Sequence, residues 1–179
     1  NDPAVLSALA EAEFDSHNND AAIAAADRAL ALDPSQVNAL IQKGYALSRR
    51  ISVDKLPDTA WKDVRSHWVK ANKLENDNPI PLVQYYRTYL EQSIEPTRTS
   101  IEGLEWAMAL APFDPSIRWQ AAQQMIRNER LADAAEALAP LAYSPHPGEF
   151  TASALKLLQE VEGRIAAADG VQPASAAAP

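Results

Sequence analysis

Three histidines and no cysteine set the limits on chemistry in this 179-residue chain. His17 falls in a turn pattern, where a solvated side chain is expected. His67 lies beside Trp68 on a helical stretch, and His146 sits between Pro145 and Pro147. The three are too scattered to form a metal centre, and without cysteine there is no thiolate ligand, thiol nucleophile or disulfide. Glu75-Asn-Asp-Asn78 is rich in oxygen donors but lacks the turn glycine and closing glutamate of a calcium loop, so it reads as a polar helix end. No G-x-S-x-G, P-loop, H-E-x-x-H or dinucleotide-type glycine motif is present. No catalytic residue, metal or cofactor is expected.

What remains is binding chemistry carried by aromatic and amide side chains at helical spacing. Asn38, Ile41 and Tyr45 recur at i, i+3 and i+7, on the side of their helix opposite Leu40, Gly44 and Leu47. Ser116, Trp119 and Gln123 repeat that arrangement further along, and Tyr85 and Tyr89 stand one turn apart between the two. Large rigid rings flanked by amides suit capture of a peptide, because they offer contact area at low entropic cost. The alternative for Tyr86 and Trp119 is that they fill gaps between helices.

The elements that would carry these residues are helices. Apolar residues make up 47% of the chain, enough for a continuous core, and glycine is scarce at 5 residues. The stripes and prolines predict helices near 3–16, 20–33, 35–50, 58–75, 80–92, 97–111, 115–128, 131–143 and 148–168. Asp20, Asp58 and Thr97 are expected N-caps, and Arg49 and Arg50 are expected to close a helix C-terminus. Helix ends followed by proline recur at Pro34, Pro79, Pro112 and Pro145, with a spacing near 34 residues and an enlarged loop around Ile51 to Asp58.

On these residues the chain resembles the tetratricopeptide repeat (TPR) family, whose unit is a helix–turn–helix with small residues where the two helices cross. Ala10, Ala22, Ala29 and Pro34 fill those places in the first unit. Gly44 and Ala71 match in the second, where Val64 replaces a small residue. Ala107 and Pro112 match in the third, and Ala122 and Ala134 in the fourth, with Pro140 and Leu141 as departures. In the third unit the small place of the first helix falls on Arg87 or Thr88.

The resemblance spans about residues 3–146. It implies an all-α, right-handed α-solenoid of about four helix pairs over 1–147. Beyond it, the stripe Phe150, Ala154, Leu157, Val161 and Ile165 predicts a capping helix over 148–169, and 170–179, without a periodic pattern, is expected to be a flexible tail or linker. The resemblance also implies a non-catalytic scaffold whose first helices line a concave face for a protein or peptide. Positions that grip a terminal carboxylate in some members carry Ser7, Glu11, Gln42, Leu82 and Tyr86 here, with no cation among them, so binding of such tails is not expected. Leu138 to Pro147 is similar to the end of bacterial arrays attached to larger exported or peptidase-like proteins.

Charge and hydropathy narrow the partner. With 16 Lys and Arg against 24 Asp and Glu, the net charge is −8, which disfavours nucleic acid. No apolar run is long enough to span a membrane. The chain opens Asn1-Asp2-Pro3 without methionine or leader, as a processed product or a piece of a longer protein would. Two alternatives stand beside the scaffold: an accessory domain of an enzyme such as a peptidase, and a self-association module pairing through an exposed Trp106.

Overall fold

The computed structural model describes residues 2–55, 57–146 and 148–170. Asn1, Leu56, Pro147 and 171–179, which hold most of the expected tail, lie outside the described residues. Nine helices, and no strand, occupy the described residues: α1 (Pro3–Asp15), α2 (Asn19–Leu32), α3 (Val37–Asp54), α4 (Ala60–Leu74), α5 (Pro79–Glu91), α6 (Arg98–Leu110), α7 (Pro115–Arg127), α8 (Leu131–Ala142) and α9 (Thr151–Ala168). The chain forms two compact units, Asn1–Leu110 with α1–α6 and Ala111–Pro179 with α7–α9.

Helix starts follow a simple chemistry. Asp2, Asn78 and Asp114 each turn a side-chain oxygen onto first-turn N–H groups, and each is followed by a proline at the first helical position. Thr97 caps α6 through Ser100 N–H at 3.3 Å. Two expected caps are corrected. Asp20 lies inside the first turn of α2, behind Asn18, and Asp58 precedes Thr59, the N-cap of α4. Arg49 and Arg50 do not end a helix either, since α3 continues to Asp54 and shortens the expected loop.

Within each pair the first helix ends on a left-handed, non-glycine residue: His17, Lys55, Ser93 and Glu129, with φ of 51–63°. Asn18, Ile94 and Arg130 donate to the carbonyls five residues earlier, Glu13, Tyr89 and Met125. This is the Schellman closure, which satisfies carbonyls that a helix end leaves free. From His17 to Lys55 and from Lys55 to Ser93 is 38 residues, and from Ser93 to Glu129 is 36, so the spacing of the closures exceeds the period near 34 read from the sequence.

The small residues sit where the helices meet. Ala10, Ala22, Ala26 and Ala29 are fully buried between α1 and α2, and Ala71, Ala107, Ala122 and Ala134 are buried in later pairs. Thr88, not Arg87, fills the small position of α5: it is 1% exposed, and its hydroxyl donates to Tyr85 O at 2.6 Å. In the first unit Val37, Leu40, Ile41, Ile51, Trp61 and Trp68 form a second cluster. Each large apolar side chain there contributes about 1.5–3 kcal/mol through burial. In the second unit α9 buries Ala154, Leu158 and Val161 as it packs on α8, whose Pro140 interrupts the helical ladder.

Candidate functional site

The residues expected to bind a partner divide between the units. In the first unit Asn38 is exposed on α3, as expected. Ile41 is not on an open face: at 5% exposure it belongs to the core with Leu40 and Trp68. The reason is that α3 packs against α1, α2, α4 and α5, so it is covered on more than one side. Ser7 and Gln42 are likewise buried.

Tyr45 is half-buried in a run of rings. Phe14 stacks on it with centroids 5.5 Å apart, Trp68 meets it edge-on at 5.2 Å, and Gln84 donates to its hydroxyl at 3.4 Å. Burial raises the Tyr45 pKa above the usual phenol value. Arg49 lies 3.5 Å from the Phe14 ring centre and donates to Phe14 O at 2.6 Å, which ties α3 to the end of α1.

Tyr85 and Tyr89 share a hydroxyl contact of 3.0 Å and meet edge to face. Tyr89 is 7% exposed and covered by the Arg65 guanidinium, 4.3 Å from its ring centre. Tyr85 is half-buried, and its phenol pKa is pushed up to about 12, first by burial and then by the bond to Tyr89. Arg65 is held in place by Thr88 at 3.1 Å and by Gln92.

Sequence reasoning missed the groove that Tyr85 borders. It has a volume of about 440 Å³ and is lined along α4 by Lys62, Arg65, Ser66, Lys70 and Lys73. A second cavity of about 210 Å³ shares Val69, Lys73 and Tyr85 with it and adds Trp68, Asn72 and Leu82. The signal in the sequence was the Lys62, Arg65, Val69, Lys73 stripe, which runs one position behind the Trp61, Val64, Trp68 core stripe.

In the second unit Trp119 and Gln123 are half-buried on α7, and Trp119 packs against Phe150 with centroids 5.6 Å apart. A cleft of about 430 Å³ opens beside them, lined by Pro112, Phe113, Pro115, Arg118, Pro140 and Phe150 among others. Phe113 is 96% exposed. Trp106 of the first unit is 56% exposed, as its place off the core line implied.

Among the described residues no three His, Asp or Glu side chains gather in a way that could hold a metal ion. His17 and His146 are exposed, and His67 is tucked against α4 with Nδ1 2.9 Å from Asp63 O. No described helix is long and apolar enough to cross a membrane.

Paired helices with small residues at each crossing and a left-handed closure within each pair define a TPR-like repeat array. Solved structures agree. The chain is similar to YrrB, described as a TPR protein with an unusual peptide-binding site, at TM-score 0.66 and 17% identity over 87% of this chain and 74% of that one. It is similar to TTC0263, a thermophilic TPR protein of Thermus thermophilus, at TM-score 0.62 and 16% identity over 95% and 82% of the two chains. It is similar to MamA at TM-score 0.61 and 15% identity over 96% and 97%. At these identities the likeness is one of fold, the all-α class of TPR proteins. From sequence, no family model matches and no curated protein matches.

Proposed function

We propose that this chain is a non-catalytic scaffold that binds a protein or peptide segment through the faces of its first helices. Asn38, Tyr45 and Tyr85 would make contact in the first unit, and Trp119 and Gln123 in the second. Ile41 and Tyr89 would support them from beneath, since both are buried. The observation that carries this reading is the pairing of half-buried rings with amides: Tyr45 with Gln84 at 3.4 Å, and Trp119 one turn from Gln123. Rings held by neighbouring rings keep a fixed orientation, and the part of each left exposed offers contact area to a partner. The peptide-binding site named for YrrB supports it by analogy of fold. In this reading α9, within 148–169, caps the array, and 1–147 holds the repeats.

The test is selection of displayed random peptides on the full chain, followed by titration of a selected peptide. Trp119→Ala and Asn38→Ala should weaken that peptide about tenfold or more while leaving the helical circular dichroism unchanged. If no peptide is enriched, or if both variants bind as the parent does, these faces are not the binding surface.

The exposed Trp106 favours a second reading, self-association through the outer side of α6. Light scattering across a concentration series separates the two, since a Trp106→Ser change would abolish dimers without touching peptide binding.

A further inference from the structure

Four cations gather along one side of α4. Of the 16 Lys and Arg in a chain of net charge −8, Lys62, Arg65, Lys70 and Lys73 line one groove, and no carboxylate lines it. Arg65 is fixed by Thr88, Gln92 and the Tyr89 ring. Lys62, Lys70 and Lys73 are exposed, and none makes an ion pair or hydrogen bond with a described residue. Elsewhere in the first unit Arg50 faces Asp20 and Asp54, Arg98 faces Glu102, and Arg28 and Lys55 are exposed singly, on α2 and at the end of α3.

The groove leads into an apolar space. The adjoining cavity is walled by Trp68, Val69, Pro81, Leu82 and Gly103, and Val69 is 40% exposed at the junction. Two residues of that wall carry unsatisfied polar atoms. Trp68 Nε1 and Asn72 Oδ1 are buried without a hydrogen-bond partner, one turn apart on α4. A buried indole N–H lacking an acceptor and a buried amide oxygen lacking a donor each cost the folded state free energy, so the packing around this cavity is not optimised for the fold alone.

We infer that the α4–α5–α6 groove is a docking site for an acidic segment of a partner protein, with one apolar side chain of that segment entering the Trp68–Leu82–Gly103 cavity. Carboxylates would lie along Lys62, Lys70 and Lys73, with Tyr85 at the turn between charged and apolar parts. Complementary charge speeds encounter and fixes register, and the apolar anchor gives residence. Nucleic acid fits less well, because four cations are set against a chain of net charge −8 and the deeper space is walled mainly by apolar side chains. The inference rests on the reading of the chain as a peptide-binding scaffold, but on a surface separate from Asn38 and Trp119.

The experiment uses the full chain and a fluorescein-labelled nine-residue probe, eight Glu with a central Phe, read by anisotropy. The expected results are binding that weakens at least tenfold between 50 and 300 mM salt, loss of at least tenfold in Lys70→Glu/Lys73→Glu, and a shift of tryptophan emission on binding. Both lysines are exposed, so the variant should stay folded, melting slightly lower because Lys73 lies in the last turn of α4. Replacing the probe's Phe by Ala should weaken it in the parent but not in Gly103→Leu, whose new side chain fills the cavity. Equal affinity of parent and Lys70→Glu/Lys73→Glu overturns the inference, as does equal affinity for the Phe and Ala probes. Tighter binding of a single-stranded oligonucleotide overturns it in favour of nucleic acid. A low-salt dimer lost on the same lysine reversal overturns it in favour of a second copy of this chain. If the acidic probe fails while selected peptides still depend on Trp119, this inference falls and the general reading stands.

Discussion

The six-membered ring of Trp68 lies directly against the α-carbon of Gly44. A Cβ at Gly44 would stand 2.5 Å from Trp68 Cζ2 and 2.6 Å from Cη2, closer than carbon atoms can approach. Gly44 is therefore required by packing in the middle of α3, where glycine otherwise weakens a helix by about 1 kcal/mol relative to alanine. The same contact brings α3 and α4 close enough for Tyr45 to meet Trp68 edge-on.

Gly44→Ala should destabilise the protein by about 1–3 kcal/mol, because overpacking outweighs the gain in helix propensity. Urea unfolding followed by circular dichroism measures it. In a Trp68→Phe background the cost should shrink, since the smaller ring leaves room, and the double-mutant cycle isolates that coupling. Equal costs in the two backgrounds would show that the Gly44–Trp68 contact is not what constrains the position.

Gly163 is the opposite case. It lies on α9 with nothing within 4 Å of a Cβ placed there. Gly163→Ala should therefore stabilise by about 1 kcal/mol, seen as a higher melting temperature. A fall would mean that something covers this side of α9.

Ser93 closes α5 at φ 58° and makes no side-chain hydrogen bond within the described residues. A left-handed residue with a Cβ carries a penalty of about 1–2 kcal/mol that glycine avoids, partly offset by the freedom glycine gains when unfolded. Ser93→Gly should raise stability by about 0.5–1 kcal/mol. Denaturant midpoints of the two proteins check it, and a loss would mean that the closure tolerates Ser93 without strain.

His67 gives a pH dependence with a definite sign. Its side chain is 11% exposed, and burial holds its pKa below the ordinary 6.5. The charges around it work in both directions: Lys43 lowers the pKa, whereas Asp63 and Asp27 raise it. The folded state therefore prefers neutral His67. That stabilisation is fully present above about pH 6.5 and is lost as the pH falls through the lower folded value. Melting temperatures should decline from pH 7 to pH 5 in the parent and decline less in His67→Gln. Parallel profiles would remove His67 as the cause.

The nine helices of the described residues were legible from stripes and prolines, because each helix buries an apolar stripe and most prolines lie outside a helix or in its first turn, Pro140 inside α8 being the exception. The buried Trp61, Val64, Trp68 and Ala71 of α4 follow that rule residue by residue. The rule failed on α3, which is covered by four helices, so a face inferred to be open at Ile41 is closed. The turns were illegible for another reason. Glycine is the usual sign of a left-handed closure, and here His, Lys, Ser and Glu hold those places. The basic groove was hidden because its cations are four among sixteen in a sequence whose sum is acidic, and only the helix brings them to one side. Thr88 was undecided against Arg87 until its hydroxyl could be seen bonded to the carbonyl of Tyr85, which lets a polar side chain occupy a small, dry position.

The closures at His17, Ser93 and Glu129 bind the backbone to itself within six residues. Reversal of the chain at these points thus needs no distant contact and little loop entropy. The inter-helix packing that follows is also mostly between neighbours in sequence, with α1 on α2, α5 on α6 and α7 on α8. Such a chain has low contact order, and refolding of its hairpins belongs on the microsecond-to-millisecond scale, roughly, that helical proteins reach. Its search for the native state is divided into short local problems, any of which can be solved first.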